Sequence, residues 1–152
     1  MYELSLKLIV IALLISIAVL VSFTDISVRK IPNIYVSLIG TVGIASIFTG
    51  LFNISSGMHI AGLVAGSLIF MVPYLLNQGI GAGDVKFLAA AGLVLGFENI
   101  LTTILLMGAS IVIFILGMVI VRRNFKETMK MHIPLGPFIS IGFVASLLAS
   151  NI

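Results

Sequence analysis

The residues best suited to chemistry in this sequence are its two aspartates, Asp25 and Asp84. Asp25 ends one long apolar run and Asp84 opens another, so each carboxylate is expected at the edge of an apolar helix. Paired carboxylates that share a proton can act as base and acid and activate a water for attack on a peptide bond. A simpler interpretation is that each aspartate pairs with a nearby cation, Asp25 with Arg29 and Asp84 with Lys86. Spacing alone leaves both interpretations open.

Three glycines stand at alternate positions just before the second aspartate, in the segment Gly79-Ile80-Gly81-Ala82-Gly83-Asp84. Glycine permits positive φ and close backbone approach, and Asp favours the start of a helix. The segment therefore predicts a loop that opens a helix and lets a substrate strand lie against the backbone beside the acid. A P-loop nucleotide site is a poor alternative, because the Lys-Ser/Thr pair is missing and no βαβ unit surrounds the glycines.

Apolar runs that could form membrane helices account for most of the chain. They cover residues 4–23, 34–52, 59–77, 85–97, 99–121 and 133–150. Most are long enough to cross about 30 Å of hydrocarbon at 1.5 Å per residue, although the fourth is short. The fourth and fifth runs abut, which predicts a tight turn at Phe97–Asn99. The chain is expected to be an all-α, polytopic membrane protein, one domain over residues 1–152 that forms a bundle of about six transmembrane helices.

The composition agrees with a lipid environment. Of 152 residues, 61% are hydrophobic and 9% are charged, whereas about a quarter of residues are charged in soluble domains. The chain has no cysteine, which excludes disulfides, thiolate nucleophiles and cysteine zinc sites. His59 and His132 are expected at opposite membrane interfaces, so no metal site is predicted.

The basic residues predict the orientation in the membrane. Seven of the eight lie in odd-numbered connections: Arg29, Lys30, Lys86, Arg122, Arg123, Lys126 and Lys130. The positive-inside rule then places these connections in the cytoplasm and both termini outside. Both aspartates fall at the cytoplasmic boundary. Nucleic acid is not an expected partner, because no basic helix face or aromatic platform is present.

Three segments resemble the motifs of the type IV prepilin peptidases, which are GxGD intramembrane aspartic proteases. Gly81-Ala82-Gly83-Asp84-Val85-Lys86 resembles the family's G-x-G-D-x-K motif. The segment from Asp25 to Ile31-Pro32-Asn33 is similar to its other aspartate motif. Ile133-Pro134-Leu135-Gly136-Pro137-Phe138 is similar to a C-terminal motif, with Leu135 where Phe is common. The three segments occur in the family's order over nearly the whole chain.

The resemblance implies an aspartic endopeptidase that removes the leader of pilin-like precursors at the cytoplasmic face of the cell membrane. Asp25 and Asp84 match its catalytic aspartates, and Gly81 and Gly83 match its loop glycines. Lys86 matches the motif lysine, for which a membrane-interface anchor is the simpler alternative. No cofactor is expected. The first connection is short and lacks the four-cysteine zinc motif of many bacterial members, so a short form without the methyltransferase segment and its methyl donor is expected.

Two rival functions stay open at this stage. A small proton-coupled transporter would use Asp25 and Asp84 as relay carboxylates, preferably near the bilayer midplane. Another GxGD protease of the presenilin or signal-peptide-peptidase kind would have Tyr before its first aspartate and nine spans, but here Thr24 precedes Asp25. The spacings Gly62–Gly66 and Gly92–Gly96 favour close helix packing inside the bundle, and a homo-oligomer built on them is the alternative.

The helix ends suggest how the two carboxylates share a proton. Asp84 opens a helix, whose partial positive end favours an ionised carboxylate, whereas Asp25 ends a helix, whose partial negative end disfavours it. Lys86 adds positive charge near Asp84. Arg29 and Lys30 favour an ionised Asp25 and so oppose this difference between the two carboxylates, although their side chains can extend into water. Asp84 is therefore expected to be mainly the base and Asp25 mainly the acid.

Overall fold

The computed structural model describes residues 2–122 and 133–150, and its helices confirm the all-α class. They are α1 (Tyr2–Val28), α2 (Asn33–Thr49), α3 (Ser56–Leu75), α4 (Ala82–Arg122) and α5 (Gly136–Ala149). The predicted basic cluster of Arg123, Lys126 and Lys130 lies outside the described residues, as do His132 and the side chain of Arg122.

Helix α4 consists of two segments that meet at Gly96, where φ is 75° and ψ is 177°. Leu88 precedes this break and Ile100 follows it, yet both lie against Gly66 of α3. Residues twelve apart in a straight helix are separated by about 18 Å, so the chain turns back at Gly96. The tight turn predicted at Phe97–Asn99 is therefore present one residue earlier, because this backbone conformation is essentially restricted to glycine.

The helices have the length and composition of membrane spans. Three of them meet both criteria over Glu3–Val28, Ser56–Leu75 and Ala82–Val121, while α2 and α5 are shorter apolar helices of 17 and 14 residues. Because α4 reverses at Gly96, the described residues contain six apolar helical segments. The outer faces expose large apolar side chains, such as Phe48, Leu105, Ile113 and Ile120, as expected for contact with lipid.

Helix α4 is central, since it packs against α2, α3 and α5, and α5 also packs against α1. The buried core contains Leu14, Val21, Ile39, Phe87, Leu88, Ile139, Phe143 and Leu147. Glycines allow the closest approaches, because a Cβ on Gly62 would collide with the Gly92 carbonyl and one on Gly92 with the Gly62 carbonyl. The predicted internal packing of Gly62–Gly66 and Gly92–Gly96 is confirmed, so an oligomer would have to use other surfaces.

His59 lies near the start of α3, and its side chain is completely buried inside the protein. Its Nδ1 lies 2.6 Å from the carbonyl oxygen of Leu93, in the last turn of α4 before the break. Carbonyls in a last turn lack a helical donor, so the imidazole satisfies a buried group beside the Gly96 turn. A hydrophobicity profile contains no information about this contact between α3 and α4.

Candidate active site

Asp25 lies one turn before the end of α1 and is buried, with 7% of its surface exposed. The backbone N–H of Gly136 donates a hydrogen bond to its Oδ2 at 2.7 Å. Gly136 is the first residue of α5, so its N–H is not used inside that helix. The first aspartate is therefore held by the C-terminal motif, 111 residues away along the chain.

Asp84 lies in the first turn of α4 and is half-buried. Its Oδ2 accepts the N–H of Gly81 at 3.1 Å, and its own N–H donates to the Gly81 carbonyl, also at 3.1 Å. The bond to the carboxylate is one half of a capping box, in which the side chain of the third helical residue accepts the N–H of the residue at the cap, while the backbone carbonyl of Gly81 takes the place of the other, side-chain acceptor. The carboxylate that could do chemistry thus also caps the helix that carries it.

The two carboxylates line the same cavity, which has a volume of about 240 Å³. The complete lining is Asp25, Arg29, Lys30, Ile31, Gly81, Ala82, Gly83 and Asp84. A cavity with two carboxylates and two nearby cations has the groups needed to hold a peptide carbonyl and a water molecule.

The hydrogen bonds of Asp25 and Lys86 differ from the ion pairs with Arg29 and Asp84 that the sequence analysis considered. Asp25 accepts the amide of Gly136, and Lys86 Nζ donates to Asn33 Oδ1 at 3.2 Å. Asn33 belongs to the first aspartate motif and begins α2. Lys86 therefore joins the two aspartate motifs, and it lies beside the cavity lining rather than within it.

The loop glycines differ in backbone conformation and surroundings, and their role beside a substrate strand stays a prediction. Gly79 has a positive φ of 82°, but Gly81 and Gly83 do not. A Cβ on Gly83 would lie 3.0 Å from the Cβ of Ile31, so Gly83 makes room for the chain's own α1–α2 connection. Gly81 is exposed, and a Cβ there would lie 3.2 Å from Asp84 Oδ2. Of the two motif glycines, Gly81 is thus the exposed one and Gly83 the one packed against another part of the chain.

Gly136 is the site residue that sequence reasoning missed. The C-terminal motif was recognised, but nothing in its composition showed that it begins a helix against Asp25. Asp25 lies near the end of α1 and Asp84 in the first turn of α4, as the sequence suggested. The Asp25 carboxylate also contacts the first residue of α5, so each carboxylate lies at the N-terminal end of a helix, and the assignment of base and acid stays a prediction.

The described residues contain no group of three or more His, Cys, Asp or Glu side chains that could hold a metal ion. The site consists of two carboxylates, backbone amides and the nearby cations Arg29 and Lys30.

Comparison with known proteins places the chain in a family. The sequence model of the type IV leader peptidase family matches residues 12–125, three quarters of the chain. The chain belongs to the type IV leader peptidase family. The matched part contains Asp25, Asp84 and the glycine loop, whereas the C-terminal motif with Gly136 lies beyond it.

Two curated relatives are named prepilin leader peptidase/N-methyltransferase, from Aeromonas salmonicida and its strain A449. Each is 32% identical to this type IV leader peptidase family member over an alignment of 114 positions, and the alignment covers 67% of this chain. The matched part spans only 38% of the relatives' length. No solved structure gives a significant match.

Proposed function

We propose that this protein is a membrane-embedded aspartic endopeptidase that removes the leader peptide of type IV pilin-like precursors. The observation that carries the proposal is the shared cavity: the only two aspartates of the chain come from different helices and line the same space. Membership of the type IV leader peptidase family and the name of the Aeromonas relatives support the substrate class.

The chemistry follows from two carboxylates that share one proton. The ionised carboxylate takes a proton from water, and the resulting hydroxide attacks the scissile carbonyl carbon. The protonated carboxylate gives its proton to the leaving nitrogen as the C–N bond breaks, which exchanges the two roles. The scissile segment must be extended, because a helix engages its carbonyls in hydrogen bonds. The exposed backbone at Gly81 offers a surface beside Asp84 for such a segment.

The positive-inside rule supports a cytoplasmic active site. Arg29, Lys30 and Lys86 lie at the same end of the molecule as the two aspartates. We propose that this end faces the cytoplasm in the cell membrane and that both termini lie outside. The transporter alternative gains no support from the family membership, and its carboxylates would be expected near the bilayer midplane rather than at one end.

The test is cleavage of a pilin-like precursor by the purified protein in lipid nanodiscs, followed by mass spectrometry of the products. Asp25→Asn and Asp84→Asn should each lower kcat/KM by at least about a hundredfold, because each removes one proton carrier. Glu98→Gln is the matched control, since Glu98 is an exposed acid beside the Gly96 turn, at the opposite end of the 82–95 segment of α4 from Asp84. Its activity should equal that of the wild type. Retention of more than about one per cent of activity by either aspartate variant would exclude a two-aspartate mechanism.

A further inference from the structure

The contact between Asp25 and α5 extends the site beyond the two aspartate motifs. We infer that Gly136 is a positioning residue for the reaction, which holds the Asp25 carboxylate in the cavity through its N–H and through the absence of a side chain. The inference rests on the proposed peptidase function. It adds to the site a residue of the C-terminal motif, which follows the residues that the family model matches.

The N–H of Gly136 is suited to this role by its place in the chain. It belongs to the first residue of α5, where backbone donors have no helical acceptor, and it reaches Asp25 Oδ2 at 2.7 Å in a buried setting. The next residue, Pro137, has no N–H to compete for the carboxylate. One carboxylate oxygen is therefore fixed by a single backbone donor from a different part of the chain.

The missing side chain of Gly136 is the second part of the argument. A Cβ at this position would lie 2.7 Å from the Cβ of Asp25 and 2.8 Å from its Oδ2. Real Cβ atoms do not approach other carbons this closely, so any side chain at 136 must push Asp25 away. Glycine at 136 is thus required for the observed position of the carboxylate, and this requirement does not depend on the hydrogen bond.

The N-terminal part of α5, which carries this amide, packs against α1. Ser140, one turn further along α5, donates its hydroxyl to the Ala18 carbonyl of α1 at 3.0 Å, and both groups are buried. Ile139 and Phe143 are completely buried on the same helix. The position of the Gly136 amide relative to Asp25 is therefore fixed by helix packing rather than by a loop.

The kinetic test uses Gly136→Ala, with Gly108→Ala as its control. Gly108→Ala is the same substitution on another helix, at a position where a Cβ meets no neighbouring atom. A misplaced catalytic group lowers the rate of the chemical step, so Gly136→Ala should reduce kcat by about tenfold or more. We expect its KM to stay within about twofold, and we expect Gly108→Ala to keep the wild-type kcat. Wild-type kcat in folded Gly136→Ala would overturn the inference.

A spectroscopic test in Asp84→Asn does not depend on activity, and a double variant without glycine at position 136 serves only to assign the contact to that position. In Asp84→Asn, Asp25 is the only aspartate of the chain, so aspartate labelled with ¹³C at its carboxyl carbon reports on Asp25 alone. Solid-state dipolar recoupling to ¹⁵N-labelled glycine in lipid should detect a short carboxyl-to-amide contact. The contact should disappear in Asp84→Asn/Gly136→Ala. Absence of the contact in Asp84→Asn, or its persistence in the double variant, would overturn the inference even if the precursor is cleaved. Failure of the wild type to cleave any precursor would instead reject the proposed function.

Discussion

At the scale of single residues, the site is held together by contacts between the three motifs rather than within each motif. Asp25 contacts the C-terminal motif through Gly136, Gly83 packs against Ile31, and Lys86 donates to Asn33. Each contact joins residues that are far apart in the sequence. The motif residues therefore have structural tasks within the fold in addition to any contact with substrate.

The two loop glycines should respond differently to substitution. Gly83→Ala adds a Cβ against Ile31, so a lower free energy of unfolding is expected, by about 1 kcal/mol or more. Gly81→Ala adds a Cβ in an exposed position beside the Asp84 carboxylate, so stability should change by less than about 0.5 kcal/mol while kcat/KM falls. Unfolding in mixed micelles and precursor cleavage measure the two effects. Equal losses of stability in both variants would contradict the different packing of the two glycines.

The bond between Lys86 and Asn33 predicts a coupling energy. Lys86→Met and Asn33→Ala should each lower the free energy of unfolding slightly. The double variant should be no less stable than the less stable of the two single variants. A double-mutant cycle of unfolding free energies should yield a coupling of about 0.5–1 kcal/mol. Additive effects would show that the lysine acts on its own, as the alternative of a membrane-interface anchor requires.

At the scale of the elements, the turn at Gly96 decides where the site can form. It divides α4 into a short segment, 82–95, that carries Asp84 and a longer segment, 97–122, that packs against α5. At 1.5 Å per residue, the first segment and α5 are each only about 21 Å long. Both begin at the site, while α1 continues one turn beyond Asp25. The short helices therefore make room for a cavity at one end of the bundle.

Gly96→Ala should destabilise the protein more than Gly108→Ala or Gly117→Ala, the changes at glycines of α4 that contact no other helix. The φ of 75° with ψ of 177° is strained for alanine, and the added Cβ would lie 3.0 Å from Ile54 Cγ2. A loss of about 1–3 kcal/mol in unfolding free energy is expected. Gly108→Ala and Gly117→Ala are the controls, because a Cβ meets nothing there and alanine favours a helix by about 0.5–1 kcal/mol. A neutral Gly96→Ala would mean that the chain does not reverse at this position.

At the scale of the whole molecule, most of the fold followed from apolar run lengths. The run at 34–52 corresponds to α2 and the abutting runs at 85–97 and 99–121 to the two segments of α4, because a membrane span leaves a long and unambiguous pattern. Asp25 and Asp84 could be selected because carboxylates at apolar helix ends are rare. The contacts of Gly136 and His59 could not be predicted, since both depend on which helices become neighbours. Periodicity describes each helix separately and carries no information about its neighbours.

The orientation of the molecule can be tested with a matched pair of residues at its two ends. Asn53 and Asn77 are both exposed and have nearly the same φ, 54° and 53°. They lie in the connections at opposite ends of α3, whose 20 residues span about 30 Å. Because the chain has no cysteine, Asn53→Cys and Asn77→Cys each introduce a unique thiol under similar backbone strain. The basic residues beside the aspartates predict that Asn77→Cys reacts with a membrane-impermeant maleimide only after the cells are permeabilised, whereas Asn53→Cys reacts in intact cells. The opposite labelling pattern would place the two aspartates outside the cell and remove cytoplasmic precursors as substrates.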